Sequence, residues 1–306
     1  MPESDPEVAE MDTAQTDTGQ RRIPVTAIVL TFNEAVNIAP CLAAMARVDD
    51  VVIVDSGSTD DTLARAVATR PDVRIFSHPF QDFGDQRNWA LDHTEPRHPW
   101  VLFVDADEFC TPGLLDEIAA FLAAPGQWVG AFVAGRNYFL GRWLRYSTLY
   151  PSYQLRLLKL GAVRYRKEGH GQKEVTDGPL HYLREGWRHE GFSQGVFHWI
   201  ARHNRYSSEE IENLLALRTE SIAVGALFSR DAVTRRRALK IVGARLPGRP
   251  MLRFLYAYIL RGGFRDGLPG LIYCSLLLAH AIHISAKLQE QLHLRDSASK
   301  TSRGTQ

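Results

Sequence analysis

The sequence predicts an α/β protein built on a mostly parallel sheet, and three observations carry that prediction. Short apolar runs that read as strands buried on both faces alternate with stretches whose apolar residues recur at helical spacing. Those runs end in polar or acidic residues: Thr31, Asn33 and Glu34 after the first, Asp55 after the second, Asp105 and Asp107 after the fourth. Neither a GxGxxG nor a GxxxxGK[ST] stretch occurs, which removes the dinucleotide fingerprint and the P-loop. Open parallel sheets bind ligands beyond the carboxyl ends of their strands. Acid-bearing strand ends on one rim therefore mark a site that holds phosphates through a metal and basic side chains, not a glycine cradle.

Taken in order, Val25 to Thr31 (VTAIVLT) is the first strand, and Phe32-Asn33-Glu34 is the turn after it. Ile38, Leu42 and Met45 follow at helical spacing, with Asn37 as the cap. Val51 to Asp55 is the second strand. In the Ser56 to Asp61 segment behind it, Ser58 reads as a helix N-cap with Asp61 three residues on, and Leu63 and Val67 on the buried face. Val73 to Phe76 is a short third strand, and Gly84 to Leu91 (GDQRNWAL) enters a helix.

Trp100 to Glu108 (WVLFVDADE) is the fourth strand with its acids. Continued extended backbone would put Asp105 and Asp107 on one side, with Ala106 keeping the space between them clear. Such a pair suits a hard, partly hydrated divalent cation that bridges to phosphate; acids at strand ends also mark ordinary turns and caps. Thr111-Pro112 starts the next helix, Thr as cap and Pro at the first helical position, with Leu114, Leu115, Ile118, Phe121 and Leu122 as its buried stripe. Val129 to Phe139 and Tyr153 to Leu160 read as further strands.

Composition sets the bounds. The 306 residues are 45% hydrophobic and 23% charged with net charge +1, which suits one large or two modest globular domains and gives no charge argument for nucleic acid. Residues 1–20 carry six acids, no Lys or Arg and no apolar periodicity. They read as a disordered acidic tail without the basic and apolar regions of a secretory signal. Cys41, Cys110 and Cys274 are too scattered for a disulfide framework or a metal spacing; they read as small core residues in a reducing cytoplasm.

VTAIVLTFNE, VVIVDSGSTDDT, GDQRN and VDADE, in this order and spacing, resemble a family 2 glycosyltransferase of the GT-A fold, in particular the lipopolysaccharide-core glucosyltransferase branch, over residues 24–290. The resemblance implies a Rossmann-like GT-A domain and an inverting, metal-dependent transfer of glucose or a similar hexose. The donor would be a nucleotide sugar, usually UDP-linked, and the acceptor a glycan or lipid-linked molecule of the cell envelope. It implies that Thr31 and Glu34, with Asn33 and Ser56 beside them, line the nucleotide pocket and that Asp55 hydrogen-bonds the base. Asp105 would sit near the ribose, and Asp107, with Asp105 as the second acid, would hold Mg²⁺ or Mn²⁺ on the diphosphate. Arg87 in GDQRN reads equally as a nucleotide or phosphate ligand and as an exposed helix residue. The chemistry agrees, because a departing nucleoside diphosphate gathers negative charge that a divalent ion stabilises without a proton.

The second half is less specific. Arg156 reads as an exposed strand residue in preference to one that approaches the diphosphate or a phosphorylated acceptor. In Glu168 to Glu174 (EGHGQKE), glycines flanking His170 let the backbone come close to another group. An inverting transferase needs a base for the acceptor hydroxyl. The resembled family has an HE-like element here where this chain has HGQKE, so Glu174 is the first candidate, with His170 and Glu168 behind it and a charged β-turn as the plain alternative. Asp177-Gly178 reads as a hairpin turn. His189, His198 and His203 lie in a stretch rich in His and aromatics. Packing, sugar stacking by Trp187 or Trp199, or phosphate contact is preferred there to a metal site, since His198 and His203 are five apart and do not share a helix face. Ser207 to Leu217 continues as an amphipathic helix.

From Arg235 to Arg265 nine basic residues and no acids interleave with aliphatic and aromatic ones. No nucleic-acid motif accompanies them, so this reads as an interfacial amphipathic segment facing anionic lipid. Leu271 to Ala286 is short and polar for a spanning helix. The division expected is an acidic tail at 1–22, a GT-A domain at 23–225, a basic amphipathic helical region at 226–290 and a disordered tail at 291–306, in a cytoplasmic protein peripheral on the inner face of the cell membrane. Two other readings remain: a catalytically inactive nucleotide-sugar-binding scaffold, against which Asp107 is retained, and a nucleotidyltransferase, whose glycine- and lysine-rich phosphate loop TFNEAVN does not supply.

Overall fold

The apolar runs of the first half form one side of a single sheet. The computed structural model describes residues 21–168, 171–221, 224–246 and 248–303; the acidic tail at 1–20, His170 and the last three residues lie outside them. The strands are β1 (Ile23–Thr31), β2 (Val48–Asp55), β3 (Arg74–Ser77), β4 (Trp100–Asp105), β5 (Glu108–Cys110), β6 (Gly130–Phe139), β7 (Arg142–Trp143), β8 (Tyr153–Lys159), β9 (Arg164–Glu168), β10 (Gly171–Val175) and β11 (Leu180–His189). The main sheet has the order β3-β2-β1-β4-β8-β6-β11-β5, with β7 beside β6. β3, β2, β1 and β4 are mutually parallel, as are β6 and β11. β8 runs antiparallel between β4 and β6, and β5 closes the far edge antiparallel to β11. The sheet is thus mostly parallel with reversed strands inserted, and β1, β2 and β4 carry the near-continuous aliphatic sequence of strands buried on both faces.

Helices cover both faces. α1 (Ile38–Ala43), α2 (Thr62–Thr69) and α4 (Pro112–Ala123) pack Ile38, Cys41, Leu42, Ala66, Leu114 and Ile118 against the alternate residues Val25, Ala27 and Val29 of β1. α3 (Phe83–His93) packs Ala90 and Leu91 on the opposite face, against Ile28, Val101 and Phe103. Thr111 caps α4 as its sequence implies, accepting from the Leu114 N–H at 3.2 Å with Pro112 at the first position. Asp82 caps α3 through the Asp85 N–H.

Three local expectations are corrected. Asn37 occupies the cap position of α1, but its side chain donates to Glu34 Oε2 at 2.6 Å and makes no cap bond. α2 begins at Thr62, after Asp61, so Ser58 is not its cap; the Ser58 hydroxyl is engaged by Asp55 instead. Asp177-Gly178 is no hairpin turn, because β10 pairs with β9 in a separate two-stranded sheet while β11 joins β6. The cause is burial. β11 carries Leu183 and Trp187 into the core, whereas β10 (GQKEV) has no comparable apolar face.

The chain forms two compact units, the first ending at Ser193 and the second starting at Gln194 and including Tyr146–Thr148. The second unit holds α5 (Gly195–Thr219), α6 (Ala232–Arg245), α7 (Arg249–Leu255), a π-turn (Tyr256–Leu260), a 3₁₀ turn (Gly263–Asp266) and α8 (Gly267–Arg303). Ile211, Leu214, Ala244, Ile284 and Leu288 form its core. The stretch read as too short to span continues through all of α8. Gly263–Arg295 is long and apolar enough to cross a membrane by length and composition alone.

One buried acid is structural. Asp50, 2% exposed, lies toward the amino end of β2, away from the strand ends that carry the other acids. It accepts from Thr26 Oγ1 at 2.8 Å, from Arg74 at 2.6 and 3.1 Å, and from the Arg97 N–H. Burial opposes its charge, but the Arg74 and Thr26 hydrogen bonds outweigh this and hold its pKa below the ordinary carboxylate value. A lowered folded pKa means that the stabilisation is full above the unfolded value of about 3.9 and fades as pH falls through the folded one. Asp50→Asn is therefore expected to cost about 3 kcal/mol at neutral pH, with the deficit shrinking in acid. Thermal melts at both pH values check this, and a deficit that does not change with pH contradicts it.

Candidate functional site

The carboxyl ends of β1 and β2 are stitched into one rim. Register sets Thr31 beside Asp55, and the Thr31 hydroxyl donates to Asp55 Oδ1 at 2.8 Å. Asp55, itself buried, also accepts from the Gly57 and Ser58 N–H groups and the Ser58 hydroxyl, so one carboxylate shapes the whole turn. Asn33 has φ 55°, a left-handed conformation that Asn tolerates better than most residues. Its N–H donates to Ser58 Oγ and its side-chain oxygen accepts from the Thr59 N–H, both at 2.8 Å. The Glu34 N–H reaches Thr62 Oγ1 at 2.7 Å. Ser56 donates its N–H to the Thr31 carbonyl and accepts from Gln86 Nε2 at 3.1 Å. Gln86 is buried, and its Oε1 has no hydrogen-bond partner among the described residues.

Beside this rim lies a buried charge network. Asp105 ends β4, and its oxygens are held by Arg156 at 2.6 and 3.3 Å and by Arg87 at 3.0 Å. Arg156 also bonds Glu108 Oε1 at 2.6 Å, while Glu108 Oε2 accepts from the Asp105 N–H. The Arg156 guanidinium lies over the Trp187 ring, and that of Arg87 over Phe103 and Tyr165. Burial disfavours the charge on Asp105, but Arg156 and Arg87 more than compensate and keep it well below the usual carboxylate range. Burial raises Glu108 to about 7 against the pull of Arg156, with Asp105 adding to the rise.

Asp107 faces elsewhere. The chain turns at Ala106 and Asp107 between β4 and β5, so the two aspartates are not presented side by side as an extended strand would present them. Asp107 Oδ2 stands 3.3 Å from His189 Nε2 at the end of β11, and His189 Nδ1 is 2.7 Å from Asn137 Oδ1 on β6. The antiparallel pairing of β5 with β11, which sets His189 opposite Glu108, brings them together. Burial would lower the His189 pKa, but the Asp107 charge and hydrogen bond, with Glu108 and Asp105 behind, lift it to about 9. Glu190 follows directly, its N–H donating to the Asp107 carbonyl at 2.8 Å and its carboxylate held by Arg188.

The structure thus brings Thr31, Asn33, Glu34, Asp55 and Ser56 into one rim and Arg87, Asp105 and Glu108 into one network. Arg87 is 3% exposed and Arg156 is 1% exposed, so neither is the exposed residue considered for it. β8 sits between β4 and β6, where an inward side chain meets acids instead of water. Trp187 and Trp199 are buried as well, which leaves packing and removes sugar stacking; Trp199 stacks on His203. Glu174 is half-buried on β10, two residues from Gln172, which accepts from Arg87 at 2.9 Å. The Glu174 charge reaches Tyr165, whose hydroxyl is pushed up to about 12 mainly by burial. His170 lies outside the described residues. Sequence reasoning passed over Gln86, Glu108 and Glu190, and set His189 aside as a ligand.

Residues 26–185 match the family model described as Glycosyl transferase family 2. The lipopolysaccharide core biosynthesis glycosyltransferase LpsC of Rhizobium meliloti (strain 1021) is 26% identical over 280 residues, 90% of this chain and 95% of that protein. An uncharacterized glycosyltransferase of Rickettsia felis is 34% identical over 104 residues, 34% of this chain and 35% of that one. Among solved structures, S. aureus TarS 1-349 superposes with a TM-score of 0.41 at 15% identity, covering 80% of this chain and 75% of that chain. With the matched segment extending over more than half of the chain and containing both the rim and most of the charge network, this glycosyltransferase belongs to glycosyl transferase family 2.

Proposed function

We propose that the enzyme transfers a hexose, with inversion, from a UDP-linked donor to a glycan or lipid-linked acceptor of lipopolysaccharide synthesis, at the inner face of the cell membrane. The observation that carries the donor side is the Asp107–His189 pair beside the rim of β1 and β2. The pathway rests on the likeness to LpsC along nearly the full length of both chains.

Asp107 and His189 fit a divalent cation. Their facing atoms are 3.3 Å apart, close to the separation of about 3 Å between neighbouring ligands of a six-coordinate ion bound at about 2.1 Å. The proton that Asp107 stabilises on His189 occupies the electrostatic place such an ion would take. Asp107 and His189 would hold Mg²⁺ or Mn²⁺, which would supply positive charge to the departing diphosphate. Asp105, already neutralised by two guanidiniums, fixes the β4 end from which Asp107 projects and stands near the ribose. Thr31, Asn33, Glu34, Asp55 and Ser56 line the nucleoside side, with buried Gln86 behind them holding Ser56. Arg87 and Arg156 keep the acid-rich wall from repelling the phosphates.

In the transfer, the acceptor oxygen bonds to the anomeric carbon as the bond from that carbon to the diphosphate oxygen breaks, and the hydroxyl proton passes to a carboxylate. Glu174 is one candidate base, on β10 two residues from Gln172, which accepts from Arg87. Glu190 is the second, favoured by its place next to the Asp107–His189 pair. Glu174→Gln and Glu190→Gln separate them: loss of transfer to acceptor with donor hydrolysis retained marks the base, and unchanged transfer in both variants rejects both.

The test of the reading as a whole is a thermal-shift panel of UDP-, GDP- and ADP-sugars with and without Mn²⁺. A rise in Tm with a UDP-hexose that needs the metal is expected. No shift with any nucleotide sugar overturns the proposal.

A further inference from the structure

We propose that the outer face of α7 and the π-turn, with the 3₁₀ turn and the start of α8, is the surface on which the enzyme lies against an anionic lipid bilayer. This deepens the membrane placement proposed above and is independent of the donor assignment. Met251, Leu255 and Ile259 form one row at four-residue spacing and Leu252, Tyr256 and Leu260 the next, so all six share a helix face. They range from 39% exposed at Leu255 to 78% at Leu260. Phe264 and Leu268 continue the apolar surface at 55% and 65% exposed. The other side of the same helix is satisfied: Ala257 is buried, and Phe254 stacks on Tyr258, which meets Phe264 edge-on.

Charge selects the occupant. Arg253, Arg261 and Arg265 are exposed along this segment. The one acid between Arg249 and Leu271, Asp266, is buried and accepts from the Tyr146 and Ser147 N–H groups and the Ser147 hydroxyl. Apolar side chains beside guanidiniums, with no exposed carboxylate between Arg249 and Leu271, match the acyl boundary and phosphate layer of an anionic leaflet.

The engagement is interfacial. α8 is long enough to span a bilayer, but around Lys287 it is packed against α5. Lys287 Nζ lies 2.7–2.8 Å from the Asn204 carbonyl and side-chain oxygens and the Ser207 and Ser208 hydroxyls of α5. Ile284 and Leu288 pack with Ile211 and Leu214 of α5. α5 carries exposed Arg205, Glu209 and Glu212. A spanning α8 would carry these polar groups into hydrocarbon or leave the Lys287 contacts behind.

The experiment is co-sedimentation of the full chain with phosphatidylcholine vesicles, with and without phosphatidylglycerol, at low and high salt. Binding about a hundredfold tighter to the anionic vesicles, weakened by salt, is expected from three guanidiniums at the surface. The variant Leu252→Glu/Ile259→Glu/Leu260→Glu is expected to lose this binding while UDP-sugar hydrolysis stays at the wild-type level. Equal binding to neutral and anionic vesicles, or no binding to either, overturns the proposal. A wild-type dimer that the triple variant dissociates, without any vesicle binding, assigns the face to a second copy and overturns it too. Should the variant fail to fold, the lipid and salt series on the wild type decides. Loss of donor turnover in the wild type would strike the donor reading and leave the vesicle result standing.

Discussion

Asp107→Ala is expected to reduce sugar transfer by about a thousandfold, roughly 4 kcal/mol of transition-state stabilisation, and to leave the melting temperature within a few degrees of wild type. The asymmetry follows from what the residue holds. Its backbone carbonyl, which the substitution keeps, accepts from the Glu190 N–H and helps tie the β4–β5 turn to the end of β11. Its carboxylate faces His189. Without that charge the largest influence raising the His189 pKa disappears, and the half-buried imidazole can shed its proton instead of remaining a cation without its carboxylate. The fold therefore loses little, while the proposed cation site loses its anionic ligand. His189→Gln, which keeps the carboxylate, is expected to weaken Mn²⁺ binding more than it weakens folding. Nucleoside diphosphate release and thermal melts of each variant measure both quantities. Retention of a tenth or more of wild-type transfer by Asp107→Ala contradicts the assignment.

Arg156→Met is expected to be the most damaging substitution for the fold, at about 4 kcal/mol, or roughly 10 °C in Tm for a chain of this size. Arg156 is buried and bridges Asp105 and Glu108. Removing it leaves two carboxylates in the sheet with Arg87 as the remaining guanidinium on Asp105. Glu108, already raised to about 7 by burial, then takes up a proton. Adding Glu108→Gln to Arg156→Met is accordingly expected to recover part of the stability. Arg156→Lys recovers less than a conservative change suggests, since a single ammonium does not reproduce the planar fork that meets both acids. Denaturant unfolding of the series checks this, and wild-type stability in Arg156→Met contradicts it.

What the sequence made legible was local. Burial on both faces of β1, β2 and β4 shows as uninterrupted aliphatic runs, and their polar ends at Thr31, Asp55 and Asp105 mark the rim because chain direction fixes where a parallel strand stops. Partnership across the chain was not legible. Arg156 meets Asp105 from 51 positions away, and nothing in YQLRLLK says that β8 enters the middle of the sheet. An arginine in an alternating strand defaults to solvent, and topology overrides that default. Asp105 and Asp107 read as a matched pair only while the backbone is taken as extended; the turn at Ala106 sends one to the guanidiniums and the other to His189. For His189 a usable signal existed. LHYLREGWRHE alternates polar residues with Leu183 and Trp187 and ends in His189-Glu190, an HE pair of the kind expected around His170.

The donor chemistry is tested most directly by following UDP release from UDP-hexoses by the wild-type enzyme in Mn²⁺, then after EDTA, then after the metal is restored. Release that stops on chelation and returns with the cation is expected. Undiminished release in EDTA, or none from any nucleotide sugar under any of the three conditions, would contradict a metal-assisted transferase centred on Asp107.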